Sequence, residues 1–503
     1  MVVEEQASSD SSSGSHGTGK SRKAPKSISR KTFQAYRRLS QQRSSKTILL
    51  FVASMALFGF ALWLGIRLAT LLVGRSFLSK KYDPLDHMKD REWRDHPELF
   101  ESDMPDHPQL HMDWNPLYRI PESIPIVGDR SDRYVELRKQ MDALLPKDDA
   151  RSLARVQELQ SHSYTPMPMN EATIDQEPYD IYNCPPTPPK GYPYDWNILQ
   201  ILEHWPPDDP TPRPNVYQSF CIFDYQKDYD KAMAYRTAEV PFLVVNDPAV
   251  ARTVERWNVP GYMERLLSDG PHRCEYSANN HFMYYVTPSK SQRKAKPDWK
   301  PPTKLSRMMF TEWLHHADQP DSKVGPDQPH WYYRLIGCGL MGNEGTCDTG
   351  ASEYLYDELP FFQPKKSLYL VEPETQGGIH CRFGMKGVIA ENHFDANRNM
   401  IAVLGGSRRY IMAHPKECPN LALYPKGTPS ARHSEVDWSD PDLDKFPQFA
   451  HAMAHEVVLQ PGQVMYLPTF WFHYIISLEL NYQCNTRSGS STENMDTLHR
   501  CGF

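Results

Sequence analysis

From Met400 to Leu478 the chain is written in short apolar segments, each stopped by Gly or Pro. Met400–Leu404 ends at Gly405-Gly406, and Arg409–Ala413 ends at Pro415. Val457–Leu467 reads as strand, Pro461-Gly462 turn, strand, and Tyr474–Leu478 reads as one more strand. None of these segments carries a helical period. Many short strands with turn punctuation predict a jelly roll, so the fold class expected is mainly β.

Three polar residues stand out against this pattern, two just before it and one within it. His393 and Asp395 lie in Glu391-Asn-His-Phe-Asp-Ala-Asn397, and His473 ends Leu467-Pro-Thr-Phe-Trp-Phe-His473. Residues i and i+2 of a strand point to the same side. His393 and Asp395 can therefore reach one metal ion, with His473 as a third ligand from another strand of the same barrel. Two imidazoles and one carboxylate can occupy one face of Fe(II) and leave the opposite face open. His-x-Asp alone is a weak sign, for a histidine beside an acid is usually just solvated. The chain holds two other such triplets, His111–Asp113 and His316–Asp318. The first lies in a Pro-rich stretch and the second follows Phe310–Leu314, which looks helical, so only His393 has a following strand pair and a distal partner.

Over about residues 237 to 490 the sequence resembles the JmjC-type (cupin-8) 2-oxoglutarate-dependent dioxygenases, in their small hydroxylase branch. The resemblance opens at Glu239–Asn246 and runs through Trp257, Tyr262–Leu266, Asn280–Tyr284, Trp331–Gly337, Phe383–Gly387, Val436–Pro447 and Leu459–Pro468. It implies a double-stranded β-helix (cupin) with flanking helices, and Fe(II) and 2-oxoglutarate as cofactors. It also implies site residues. His393, Asp395 and His473 match the iron ligands. Asn399 matches an asparagine lining the co-substrate pocket, and Asn485 a polar residue near the metal on a late strand. Arg408 falls where the family usually has a lysine pairing with the distal carboxylate of 2-oxoglutarate, and Tyr333 matches, more loosely, a tyrosine bonding the same carboxylate.

The chain departs from the family at two places. Arginine stands at 408; it can hold a carboxylate through two parallel hydrogen bonds, but its forked head needs more room. Ala390 stands where several relatives carry a threonine hydroxyl, a loss of ~1 kcal/mol for one hydrogen bond. Trp471 and Phe472 beside His473 would keep the site dry, or simply pack the core.

The N-terminal end predicts a location. Thr47–Ile66 is an uncharged, mostly apolar run. At ~1.5 Å per residue it reaches roughly 30 Å, the thickness of a bilayer core. Its extension to Val73 is interrupted only by Arg67, which can snorkel to the interface. Residues 1–46 hold ten Lys or Arg against three acids, and twelve serines, in a chain whose net charge is −6. This composition predicts a disordered basic tail on the cytosolic side of a single-pass anchor. The catalytic part would then lie in the lumen of the endoplasmic reticulum or Golgi, or outside the cell. Arg75, Lys80 and Lys81 beyond the span weigh against that orientation.

All nine cysteines lie beyond the apolar run, which suits an oxidising compartment; Cys338 and Cys347, flanking a Gly-rich turn, are the nearest candidate pair. No Cys-x-x-Cys and no Asn-x-Ser/Thr occurs. The expected order is a tail (1–46), a transmembrane helix (47–73), a stem (74–195) with one helical segment near Asp132–Leu159, an N-terminal extension of the catalytic domain (196–236), the JmjC/cupin-like domain (237–490) and a C-terminal tail (491–503).

Three function classes follow. The first is a membrane-anchored 2-oxoglutarate oxygenase hydroxylating a protein side chain, with a protein or peptide substrate and no nucleic-acid partner. Barrel hydroxylases often dimerise, so a homodimer stays open. Histone demethylation, the other activity of JmjC relatives, fits poorly with an anchor and with the absence of a reader domain. The second class is a type II membrane glycosyltransferase, which shares the plan of tail, anchor and stem and for which Asp440–Asp442 offers a weak Asp-x-Asp. The third is a catalytically inactive cupin acting as a binding module.

Overall fold

The computed structural model describes residues 130–160, 164–166, 177–213, 215–288, 299–319, 325–338 and 349–503. The basic tail, the apolar run 47–73 and the rest of the chain before residue 130 lie outside them. So do His111, Asp113 and Cys347. Among the described residues no helix is long and apolar enough to cross a membrane.

The strands that matter are β1 (Ile222–Asp224), β2 (Phe242–Val245), β3 (His272–Ser277), β4 (His281–Phe282), β5 (Lys304–Met308) and β6 (His330–Gly337). They continue with β7 (Ile379–Gly384), β8 (Ile389–Phe394), β9 (Asn399–Gly405), β10 (Arg408–Ala413), β11 (Met453–Leu459), β12 (Val464–Leu467), β13 (Phe472–Ser477) and β14 (Asn481–Arg487). One sheet runs β1-β2-β12-β9-β14-β7-β6-β3-β5. The other runs β11-β10-β13-β8-β4, extended beyond β11 by the short strand Trp196–Asn197. The jelly roll expected from the turn pattern is therefore present; the strands predicted between Met400 and Leu478 lie within two residues of their observed bounds, except that β11 begins at Met453, four residues before Val457.

Alternation decides what each face carries. Ile401, Val403, Tyr410, Met412, Val457, Leu459, Met465, Leu467 and Ile475 form one apolar cluster, the filling between the two sheets. The opposite face of the longer sheet lies under helices and carries Phe383, Tyr482, Met400 and Leu404. The turns between strands rely on backbone that only glycine adopts easily. Gly406 has φ +61°, and a Cβ there would come within 2.1 Å of the Leu480 carbonyl oxygen.

The part of the expected stem that is described packs as part of the unit that carries the barrel. Helices Arg130–Leu144 and Asp149–Leu159 replace the single helical segment. Asp148 caps the second by accepting from Arg151 N at 3.2 Å. Leu137, Met141 and Val156 are buried in the core that covers the longer sheet. The buried Glu358 carboxylate fixes this layer. It accepts from Arg138 Nη1 (2.6 Å), Arg256 Nε (2.7 Å), Trp257 Nε1 (2.8 Å), Tyr262 OH (2.8 Å) and Tyr134 OH (3.0 Å). The Pro-rich segment near Cys184 is also tied down, by a Cys184–Cys221 disulfide. Cys381–Cys484 links β7 to β14, and Cys418–Cys501 anchors the C-terminal helix Met495–Arg500. Cys338 is disulfide-bonded too, and Cys274 is a buried thiol.

Candidate metal centre

β8 and β13 run antiparallel with His393 directly opposite His473. A register shift between Ala390 and His393 swings the end of β8, and Asp395 sits just past it, where its carbonyl accepts from Phe470 N at 2.9 Å. One ligand atom from each of His393, Asp395 and His473 lies within 4.8 Å of the others. Among the described residues this is the one such group of histidines, cysteines and acids, and it does not include His316 or Asp318. His316 instead stacks on Trp331, ring centroids 4.1 Å apart.

The surroundings prepare these side chains to ligate. Nδ1 of His393 lies 2.7 Å from the Glu391 carbonyl and Nδ1 of His473 lies 3.0 Å from the Trp471 carbonyl. A carbonyl only accepts, so each Nδ1 carries the proton and each Nε2 keeps its lone pair for a metal. Burial and then the neighbouring His473 push the His393 imidazole well below its usual range; burial also lowers His473. Burial acts against the Asp395 carboxylate, but Arg487, His393 and His473 outweigh it and hold it well below the usual carboxylate range. Two neutral imidazoles and one carboxylate are the donor set a divalent iron accepts. A third histidine, His433, lies against His393 with rings 5.1 Å apart and bonds through Nδ1 to the Ser430 carbonyl at 3.1 Å. Nothing near it in sequence marks it, for it comes from the loop between β10 and β11.

Two of the expected pocket residues join the triad. Asn399 Nδ2 donates to Asp395 Oδ2 at 3.3 Å, and Asn485 Nδ2 donates to Asn399 Oδ1 at 2.8 Å. Arg408 lies deeper, at 0 % exposure. It donates from Nε to Asn481 Oδ1, from Nη1 to Tyr332 OH (3.0 Å) and Gln483 Oε1 (2.8 Å), and from Nη2 to the Arg382 carbonyl (3.2 Å). Tyr333 is on the other face of β6, in the aromatic core with Phe310, Trp313 and Phe383. The tyrosine that turns inward toward Arg408 is its neighbour Tyr332, since successive residues of a strand face opposite sides. Ala390 packs against the inter-sheet core, as its size suggests.

The inward face of β3, β6, β7 and β14 carries residues not anticipated from sequence. Arg487 Nη2 lies 2.5 Å from Asp395 Oδ2. Arg382 Nη1 donates to Asn485 Oδ1 at 3.3 Å. Arg334 Nη1 pairs with Glu275 Oε1 at 3.0 Å. Burial and then Arg334 bring the Arg382 guanidinium down to about 10, and burial with Arg487 and Arg382 brings His380 down to about 3. A signal existed in Asn481-Tyr-Gln-Cys-Asn-Thr-Arg487, where every second residue is a large polar one. A polar row of period two on a central strand marks a wet or ligand-facing side.

Fold and site together define a cupin barrel whose triad offers the donor set of a metal site. The family model described as "Cupin-like domain" matches residues 233–488, and the chain belongs to this family. Families of this JmjC type typically use Fe(II) and 2-oxoglutarate. The chain is 36% identical over 110 residues to lysine-specific demethylase 8 of Xenopus tropicalis, covering 22% of this chain and 24% of that protein. It is 30% identical over 114 residues to tRNA wybutosine-synthesizing protein 5 of Danio rerio, covering 23% and 33%. It is 35% identical over 100 residues to human HSPB1-associated protein 1, covering 19% and 20%. The aligned part thus spans a third or less of these relatives. Among the described residues, Asp440 and Asp442, the Asp-x-Asp of the glycosyltransferase reading, are exposed in a loop.

Proposed function

We propose that this chain is an Fe(II)- and 2-oxoglutarate-dependent oxygenase that hydroxylates a side chain of a protein or peptide, carried on the luminal or outer side of a membrane by residues 47–73. The observation that carries the reaction class is the triad of His393, Asp395 and His473 with both Nδ1 atoms tied to backbone carbonyls. When bound, the metal and 2-oxoglutarate would supply oxidative decarboxylation coupled to insertion of one oxygen atom into a substrate C–H bond.

The protein's own residues do the rest. His393, Asp395 and His473 would hold the metal on one face. Asn399 and Asn485 fix the free edge of Asp395 and line the space beside it. Trp471 and Phe472 are buried next to His473 and keep that side dry. The Cys184–Cys221, Cys381–Cys484 and Cys418–Cys501 disulfides support an oxidising compartment for this part of the chain. With the anchor, that setting favours side-chain hydroxylation over the demethylation and tRNA modification in the names of two relatives.

The test is succinate release by the full chain with Fe(II), ascorbate and 2-oxoglutarate, followed by peptide substrates read by mass spectrometry. Succinate from the wild type but not from a His393→Ala/Asp395→Ala variant, with a gain of one oxygen on a peptide, is the expected result. Release of formaldehyde with loss of a methyl group would replace hydroxylation by demethylation. A protein that binds iron and every co-substrate analogue yet never forms succinate with any substrate would be a binding module.

A further inference from the structure

Three arginines stand in cross-strand register beside the metal centre. Arg273 on β3 is directly opposite Arg334 on β6, and Arg334 is directly opposite Arg382 on β7. Like charges directly opposed on neighbouring strands destabilise a sheet. One carboxylate, Glu275, relieves the first two, at 3.0 Å from Arg334 Nη1 and 3.4 Å from Arg273 Nη2. Arg382 is left at the end of the row. Among the described residues its guanidinium gives one hydrogen bond, 3.3 Å long, to a neutral amide oxygen of Asn485. Arg487, the next cation, is committed to Asp395.

Arg408 is the opposite case. Four of its N–H directions already end on Asn481, Tyr332, Gln483 and the Arg382 carbonyl, and it is sealed from solvent. An arginine whose donors are spent on neutral acceptors has little left for an incoming anion. Arg382 keeps partial exposure and has donors to spare. It is also connected to the metal ligands, since Asp395, Asn399, Asn485 and Arg382 form one hydrogen-bonded chain.

We propose that Arg382, with Arg334 beside it, takes the distal carboxylate of the 2-oxo dicarboxylate co-substrate, and that Arg408 is a structural member of the barrel floor. This rests on the oxygenase reading above. It assigns the anchoring role to a strand, β7, other than the one that carries Arg408. The dicarboxylate would also neutralise the row of like charges, so the site is stabilised by the same contact that selects its ligand.

The experiment is calorimetric titration of the Mn(II)-loaded full chain with 2-oxoglutarate and with 2-oxopentanoate, in which a methyl group replaces the distal carboxylate. The wild type is expected to prefer 2-oxoglutarate by about tenfold or more, the worth of a charge-assisted hydrogen bond. In Arg382→Met that preference should collapse, while Mn(II) affinity and 2-oxopentanoate binding stay at wild-type values. Arg382→Lys should restore part of it, and Arg408→Gln, which removes the charge, should leave it intact. A preference that survives in Arg382→Met, or that is lost in Arg408→Gln instead, overturns the assignment while leaving the oxygenase reading in place. A wild type that binds Mn(II) but neither acid overturns both. A wild type that binds both acids equally overturns the anchor alone.

Discussion

Arg487 reaches from the end of β14 to Asp395 and places Nη2 2.5 Å from Oδ2. Asn399 Nδ2 approaches the same oxygen at 3.3 Å. Oδ2 thus accepts from two protein groups, which leaves Oδ1 as the oxygen that would be offered to a metal. Groups that orient a ligand in this way typically change metal affinity 10–100-fold when removed, so Arg487→Gln should weaken Mn(II) or Fe(II) binding by about that factor. Competition with a fluorescent chelator measures it. Affinity within twofold of wild type would show that the contact does nothing for the metal.

The close packing of Arg408 yields a second expectation. Gly384 lies where a Cβ would come 2.4 Å from Ser477 Oγ, 3.0 Å from Arg408 Nη2 and 3.2 Å from Asn481 Nδ2. Overpacking of this kind costs about 1–3 kcal/mol. Gly384→Ala should therefore lower stability by that amount in urea unfolding, and Ser477→Ala in the same chain should recover part of the loss. Additive losses would show that the two side chains do not compete for space.

The grouping of the candidate triad was legible because its signal is local. His393 and Asp395 are two residues apart, and His473 follows a turn written in Pro468 and Thr469. What sequence could not fix was facing. Tyr332 and Tyr333 are adjacent and both aromatic, and a shift of one residue turns a side chain to the other side of the sheet. Only the register of β6 against β7, with Gly384 opposite Tyr332, shows which one meets Arg408. Arg382 was hidden for the same reason: without knowing that Arg334 stands opposite it, it reads as one more charged residue in a strand. The helices before residue 160 were obscured by distance. Their partners, such as Glu255 for Ser152 and Glu358 for Arg138, lie more than a hundred residues away in sequence, so composition alone suggested a stem.

His281 gives an alkaline transition. Its Nδ1 lies 2.5 Å from Glu391 Oε1. Burial lowers the imidazole, but the hydrogen bond and charge of Glu391, with Asp437 and Asp208, outweigh it and raise its pKa to about 9. A raised folded-state value means stability that is fully present below the unfolded value of ~6.5 and is lost as pH climbs toward 9. The melting temperature should fall between these limits, and His281→Gln should flatten that part of the profile. Parallel profiles for the two proteins would remove His281 as the cause.

Glu358 sets the acid limit. Burial raises the carboxyl, yet Arg256 and Arg138 more than offset this and bring it down to about 2. A depressed value means stability that is present above the unfolded ~4.3 and is lost as pH falls toward 2. At neutral pH, Glu358→Gln leaves Arg256 and Arg138 facing a neutral amide inside the protein, and breaking a buried pair in this way costs about 3–5 kcal/mol. The gap between wild type and variant in urea unfolding should be widest near pH 7. It should narrow as the wild-type carboxyl protonates, because both proteins then lack the charge. Since Glu358 joins the helices at Arg138 and Arg256 to the layer over β9 and β14, the variant should also expose residues 130–159 to protease first. Cleavage beginning instead near the metal centre would place the weakest packing elsewhere than this hub.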